Sequence, residues 1–260
     1  MLRGIHIERG EGPIVATALH AGHAVRADVA QYLALDAATR FREEDPFTEA
    51  WTLVAPTRVV CTTSRFELDL NRPRDEAIYR TPDDAWGLTV WREPLPVEQV
   101  AKTLAVYDAV YAKLEALLAD LIARHGKVVV LDLHAYCHRR DGPDAAPADP
   151  AANPEINVGT GTVDRSRWGR LVERFVADLC AQPLDGRRLD ARENVKYRGG
   201  HFVRWVHHTF PEGACALGLE MKKVFMDEWT GALDEQIHAQ ILAALRAAVP
   251  GLEEELAKVS

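Results

Sequence analysis

Cysteine is scarce in this chain: Cys61, Cys137, Cys180 and Cys215 are the 4 cysteines in 260 residues, and no two are spaced as CxxC. That excludes a zinc ribbon and gives no disulfide framework, so a reduced, cytoplasmic protein is expected. No apolar stretch approaches the roughly 20 residues that a bilayer-spanning helix needs, and the opening MLRGIHIERGEGP lacks the apolar core of a signal peptide. Positive charge is the minority sign, with Lys+Arg 31 against Asp+Glu 39 and a net charge of −8. This speaks against a general binder of nucleic-acid backbones and leaves room for a local basic pocket. Familiar loops are missing as well. There is no GxSxG elbow and no GxxxxGK[ST] loop, and the GTGT at 159–162 lacks the third glycine and the strand-to-helix setting of a dinucleotide loop. Core-forming residues are abundant. A hydrophobic share of 47% with 27% charged excludes wholesale disorder, and the length suits one α/β domain over residues 1–260.

The apolar run from Ile14 to Leu19 predicts a buried strand that ends at His20. A short helix is expected from Ala27 to Leu35. The β-branched stretch from Thr57 to Leu70, with alternation at Phe66, Leu68 and Leu70, predicts one or two strands. From Val97 to Ala123, Val100, Leu104, Tyr107, Tyr111, Leu114, Leu118 and Leu121 recur at steps of three and four, the pattern of a long helix, with Gly126 at its C-cap. Lys127 to Leu133 is continuously apolar, as in a central strand covered on both faces. Arg139 to Asn153, with Pro143, Pro147 and Pro150, is a loop where open α/β sheets place ligand-binding segments. Helices from Arg165 to Ala181 and from Asp234 to Ala248, and a strand from Ala214 to Leu219, complete the pattern. The fold class is α/β, a mixed, mostly parallel central sheet flanked by helices.

His20 in ALHAGH and His134 in LDLHAY each follow a predicted strand. Side chains at the C-terminal edge of parallel strands face a common crevice, so the two imidazoles either hold one divalent metal there or are satisfied strand-end residues. Catalytic zinc takes two histidines and a carboxylate and keeps an open position. Glu44, Asp45, Glu67 and His23 are the third-ligand candidates, and Asp132 either orients an imidazole or is a strand-end acid bonding a nearby backbone amide. Arg65, Asn71, Arg72 and Arg74 gather forked donors that suit a small acidic substrate, or are surface residues paired with Asp69, Asp75 and Glu76. Gly199 and Gly200, with His201 and Arg204 beside them, permit close backbone approach to a ligand or form a turn between strands. Glu220, ending the run CALGL, is a general base acting on metal-bound water or a partner of Lys222. Cys137, between His134 and His138, is a thiol to account for, and the His207–His208 pair is expected to be exposed.

Six segments in order resemble the N-formylglutamate amidohydrolases: LHAGH at 19–23, SRFELDLNRPRD at 64–75, LDLHAY at 131–136, NVGT at 157–160, YRGGHFVRW at 197–205 and LGLEMKKVFMDE at 217–228. The resemblance implies a zinc-carboxypeptidase-like (phosphorylase/hydrolase-like) fold with one divalent ion, Zn²⁺. The implied reaction is hydrolysis of N-formyl-L-glutamate to formate and L-glutamate, a step of histidine degradation. It implies His20, His134 and an acid as ligands. Arg65, Asn71 and Arg72 would grip substrate carboxylates, Gly200, His201 and Arg204 would border the pocket, and Glu220 would be the general acid/base. Alignment from Trp51 puts the acid on Glu44, and a one-residue shift puts it on Asp45. His23 stands where the carboxypeptidase HxxE pattern has its glutamate, and His201 where the family has tyrosine. A small acidic molecule is then the partner, with no nucleic acid and no membrane. Two alternatives stand: a deacylase or carboxypeptidase for another N-acyl amino acid or γ-glutamyl peptide, and a non-catalytic binder of acidic metabolites.

Overall fold

The computed structural model describes residues 4–259. Its strands are β1 (Ile5–Glu8), β2 (Ile14–Ala18), β3 (Thr57–Cys61), β4 (Val128–Tyr136), β5 (Ile156–Gly159), β6 (Pro183–Leu184), β7 (Arg187–Arg188), β8 (Ala191–Glu193) and β9 (Ala214–Lys222). The helices are α1 (Ala27–Ala30), α2 (Ala37–Glu43), α3 (Thr48–Trp51), α4 (Val97–His125), α5 (Arg165–Cys180), α6 (His201–Thr209) and α7 (Glu235–Leu256). A 7-stranded sheet runs in the order β1-β3-β2-β4-β9-β5-β8, and β6 and β7 pair separately. The pairs β3–β2, β2–β4, β4–β9 and β5–β8 are parallel, while β1–β3 and β9–β5 are antiparallel. The sheet is mixed and mostly parallel, as the sequence indicates.

Burial explains why β4 reads as an unbroken apolar run. Val129, Leu131 and Leu133 pack on one face with α5 and α7, and Val128 and Val130 on the other with α4 and α6. The stripe of α4 that carries Tyr107, Tyr111, Leu114, Leu118 and Leu121 enters this second core. The helix stops at Gly126, whose φ of 77° is left-handed and whose N–H closes on the Ile122 carbonyl at 2.7 Å. Among the described residues, no helix is long and apolar enough to cross a membrane.

Three expectations are corrected. No strand forms beyond Cys61 in the stretch to Leu70. The amides of Glu67 and Leu68 turn back to the Ser64 carbonyl at 3.0 and 3.1 Å, so Phe66, Leu68 and Leu70 are buried from a turn rather than a ladder. The helix foreseen up to Leu35 is only α1, ending at Ala30. Helix α7 runs through Pro250 to Leu256, because Leu252 and Leu256 are core residues and their burial outweighs the local break.

Candidate active site

Parallel pairing carries the candidate residues to one edge. His20 follows β2, and His134 on β4 lies in register with Glu220 on β9. The rings of His20 and His134 are 4.8 Å apart between centroids, and both residues are buried. Asp45, in the loop after α2, comes between them: its Oδ2 lies 2.9 Å from His134 Nδ1 and 3.5 Å from His20 Nδ1. One ligand atom from each of these residues lies within 4.8 Å of the others.

The far nitrogen of each ring is fixed by a second carboxylate. His20 Nε2 donates to Asp69 Oδ1 at 2.7 Å, and His134 Nε2 donates to Asp132 Oδ2 at 2.9 Å. Asp132 is itself held by the Thr17 hydroxyl at 2.6 Å. Asp69 accepts from the Tyr79 hydroxyl, from Arg65 at 3.0 Å and from the backbone N–H of Asn71 at 2.8 Å. With Nε2 protonated, each Nδ1 presents a lone pair inward. His20 Nδ1 is buried and has no hydrogen-bond partner. An inward pair of imidazole nitrogens beside a buried carboxylate fits a divalent cation, and two His with one carboxylate is a catalytic zinc donor set. Because His134 Nε2 donates to Asp132, the Asn71 Nδ2 at 3.3 Å from it is not bonded to it and keeps its hydrogens for the cavity.

The electrostatics favour one positive charge among these groups, a proton or a cation. Burial would raise Asp45, but the His134 and His20 imidazoles beside it hold its carboxyl well below the usual range. Burial likewise opposes ionisation of Asp69, and His20 and Arg65 outweigh it. His134 is lifted well above an ordinary imidazole because Asp132 and Asp45 outweigh its desolvation. Glu220 has no such partner. Its burial, with Asp45 nearby, raises its carboxyl to about 7 against the pull of His134.

These groups open into a cavity of about 110 Å³, also lined by Arg65, Asn71, Trp86, Arg140 and Lys223. Other sequence candidates lie elsewhere. Glu44, the acid chosen by alignment, points away from the two histidines: it accepts from the Ser64 hydroxyl and pairs with His23 Nδ1 at 2.5 Å. The acid beside His20 and His134 is therefore Asp45, and His23 is tied to Glu44. Glu67 is engaged by Arg26 at 2.7 Å.

Arg72, Gly200, His201 and Arg204 are not among the residues lining the cavity. Arg72 donates to the Asp84 carbonyl at 2.6 Å and Arg204 to the Gly199 carbonyl at 2.9 Å. His201 lies 3.2 Å from the Tyr107 hydroxyl. Gly200 is needed for packing, since a Cβ there would meet the Asn71 amide at 2.2 Å. The glycine pair opens α6 rather than joining two strands. Cys137 borders the cavity, but burial raises its thiol to about 11, which leaves almost no thiolate near neutral pH. Of the cavity residues, Arg140, Lys223 and Trp86 escaped the sequence reading. For Arg140 the available signal was the Arg139–Arg140 pair that opens the proline-rich loop after β4.

The N-formylglutamate amidohydrolase family profile matches residues 12–226. An N-formylglutamate amidohydrolase from Ralstonia eutropha JMP134 superposes with a TM-score of 0.77 at 18% identity, covering 98% of this chain and 99% of its own. A gene product of Agrobacterium tumefaciens gives 0.65 at 20% identity, over 97% and 96% of the two chains. A metallo-carboxypeptidase from Burkholderia cenocepacia gives 0.38 at 18% identity, over 94% and 57%. No curated protein matches the chain in sequence. The two structures with high scores share the fold, and the profile spans all six segments but for the last residues of the final one. The chain belongs to the N-formylglutamate amidohydrolase family and is a hydrolase acting on amide bonds.

Proposed function

We propose that this chain hydrolyses N-formyl-L-glutamate, or a close N-acyl acidic amino acid, to the free acid and the amino acid, using one divalent metal, zinc by its donor set. The observation that carries the reading is the buried His20–Asp45–His134 cluster, with its unpartnered Nδ1, next to a carboxyl poised near neutrality. His20, His134 and Asp45 would hold the ion, and the chemistry it supplies when bound is Lewis acidity, which polarises a carbonyl and acidifies water. Asp69 and Asp132 keep both imidazoles in the ligating tautomer. Glu220 takes the proton of the attacking water and returns it to the leaving amine, a task suited to a carboxyl whose pKa lies near the working pH. Arg65 is anchored by Asp69 and Tyr79 and places a fixed positive charge where negative charge develops on the substrate oxygen. Asn71 offers its amide hydrogens to the substrate.

The test is metal analysis with formate release. Wild-type protein should bind about one zinc ion and release formate from N-formyl-L-glutamate, with chelation abolishing turnover. Asp45→Ala should lose the metal, whereas Glu44→Gln should retain it. A chelated protein with full activity, or metal lost only from the Glu44 variant, would sink the proposal.

A further inference from the structure

An acidic amino acid carries two carboxylates, and two of the arginines expected at the pocket, Arg72 and Arg204, are turned to backbone carbonyls outside the cavity. Three cationic side chains do line it: Arg65, Arg140 and Lys223. Lys223 has no donor to offer, since its ammonium is directed at the carbonyls of Arg42 and Glu44 and at Cys137 Sγ. A guanidinium has five N–H donors. Arg65 engages Tyr79 and Asp69 with Nε and Nη2. Arg140 engages Glu43 with Nη1 at 3.3 Å and Nη2 at 3.0 Å. Among the described residues, the remaining donors of both forks meet no protein acceptor.

Trp86 fixes how these forks are spaced. Its ring lies 4.8 Å from the Arg65 Cζ and 5.8 Å from the Arg140 Cζ. The residue has a left-handed backbone, φ 54° and ψ 32°, which costs a bulky side chain energy. A capping box between Thr81 and Asp84 and an edge-on contact with Tyr79 hold it there. The residue is nevertheless 47% exposed. Core packing does not account for a strained, half-exposed indole contacted by two guanidiniums, but a wall between two anion-binding forks does.

We propose that Arg140, clamped by Glu43 and braced on Trp86, is a specificity-determining residue that receives the side-chain carboxylate of the substrate. Arg65 is then free to serve the reacting end. The inference rests on the reading of the cavity as an N-acyl amidohydrolase site. It predicts a preference for dicarboxylic over neutral amino acids that resides in one side chain. Glu43 takes the Nη1–Nη2 edge of the guanidinium, so the adjacent Nε–Nη2 edge still presents a charged, planar pair of donors.

The experiment compares N-formyl-L-glutamate with its neutral isostere N-formyl-L-glutamine, and separately measures L-glutamate and L-glutamine binding to metal-free protein by calorimetry. Wild type should favour the glutamate member of both pairs. Arg140→Gln should lower kcat/KM for N-formyl-L-glutamate by roughly 10- to 100-fold, mainly through KM, and change N-formyl-L-glutamine by about twofold or less. Arg140→Lys should restore part of the loss, and glutamate binding should weaken in parallel. Glu43→Gln, which releases the clamp without removing the charge, should show a smaller loss of the same kind, and it decides the matter if Arg140→Gln does not fold. Equal losses on both substrates, no discrimination in the wild type, or discrimination that survives in the variants overturns the assignment. If wild type hydrolyses neither substrate, the function reading fails and the calorimetric pair still decides the role of Arg140.

Discussion

Two regions use the same side chain in opposite ways. At the carboxyl edge of the sheet, His134 is surrounded by Asp132, Asp45 and Glu220, and its affinity for a proton rises despite burial. On the face covered by α6, His207 has no carboxylate partner, and burial lowers its pKa to about 4. The adjacent pair His207–His208 predicts exposure, but His207 is half-buried and structural. Strand β5 stops at Gly159, opposite Gly218, so the N–H of Ala216 has no strand to meet there. His207 Nε2 accepts it at 2.9 Å, and Nδ1–H donates to the Thr162 hydroxyl at 2.8 Å. The edge concentrates charge at a cost to stability in order to do chemistry, whereas the face keeps its imidazole neutral in order to complete a sheet.

Glu220→Gln should break the comparison most strongly. At the edge, losing a charge should remove about 10² to 10⁴ of turnover, the usual share of a general acid–base group, with metal content unchanged. Wild-type kcat/KM should fall as pH drops through about 7, or somewhat lower once a cation is bound, because Glu220 must be ionised to accept a proton, and the variant should lack this limb. A raised folded-state pKa means the ionised form is penalised as pH rises from the unfolded value through about 7. Above that pH, metal-free Glu220→Gln should therefore melt no lower than metal-free wild type. Paired pH–rate profiles and thermal scans check both halves.

Asp132→Asn sharpens the tautomer argument. It replaces the charged acceptor that fixes His134 with a neutral amide whose single oxygen cannot serve both Thr17 and His134, and zinc affinity in a chelator competition should fall by roughly 10- to 100-fold, with overall folding retained. Unchanged affinity would show that Asp132 does not orient the ring. The smallest effect belongs to the face. His207→Leu orphans the Ala216 amide and should cost about 1–3 kcal/mol in urea unfolding, with turnover unchanged. The folded-state pKa is depressed, so the stabilisation by His207 is complete above about 6.5 and is lost as pH falls toward about 4. The gap between wild type and variant should close over that range.

Much of this was legible in the sequence. The apolar runs that end at His20, His134 and Glu220 are buried parallel strands, and parallel strands deliver their terminal side chains to a shared edge whatever lies between them in the chain. The choice between Glu44 and Asp45 was not legible, because both sit in a loop without periodicity and consecutive side chains there point in different directions. Arg72 and Arg204 were misplaced for another reason. The carbonyls of Asp84 and Gly199 draw them off, and no spacing rule announces a backbone acceptor. The alternation at Phe66, Leu68 and Leu70 suggested a strand because a turn buried under a core repeats the same pattern over a short window. The cavity-facing role of Arg140 depends on Glu43 and Trp86, which are distant in sequence and meet it only in the fold.

Lys223 directly follows β9, the strand that bears Glu220, and is 1% exposed. Its ammonium is tied to the carbonyls of Arg42 and Glu44, immediately before Asp45. Asp45, the proposed ligand, and the strand that carries Glu220, the proposed base, are thus moored to one another by a single buried cation. A fluctuation that swings the Asp45 segment outward must first drag or desert that ammonium. Loss of the ion by that route and misalignment of the proton carrier should accordingly happen as one event.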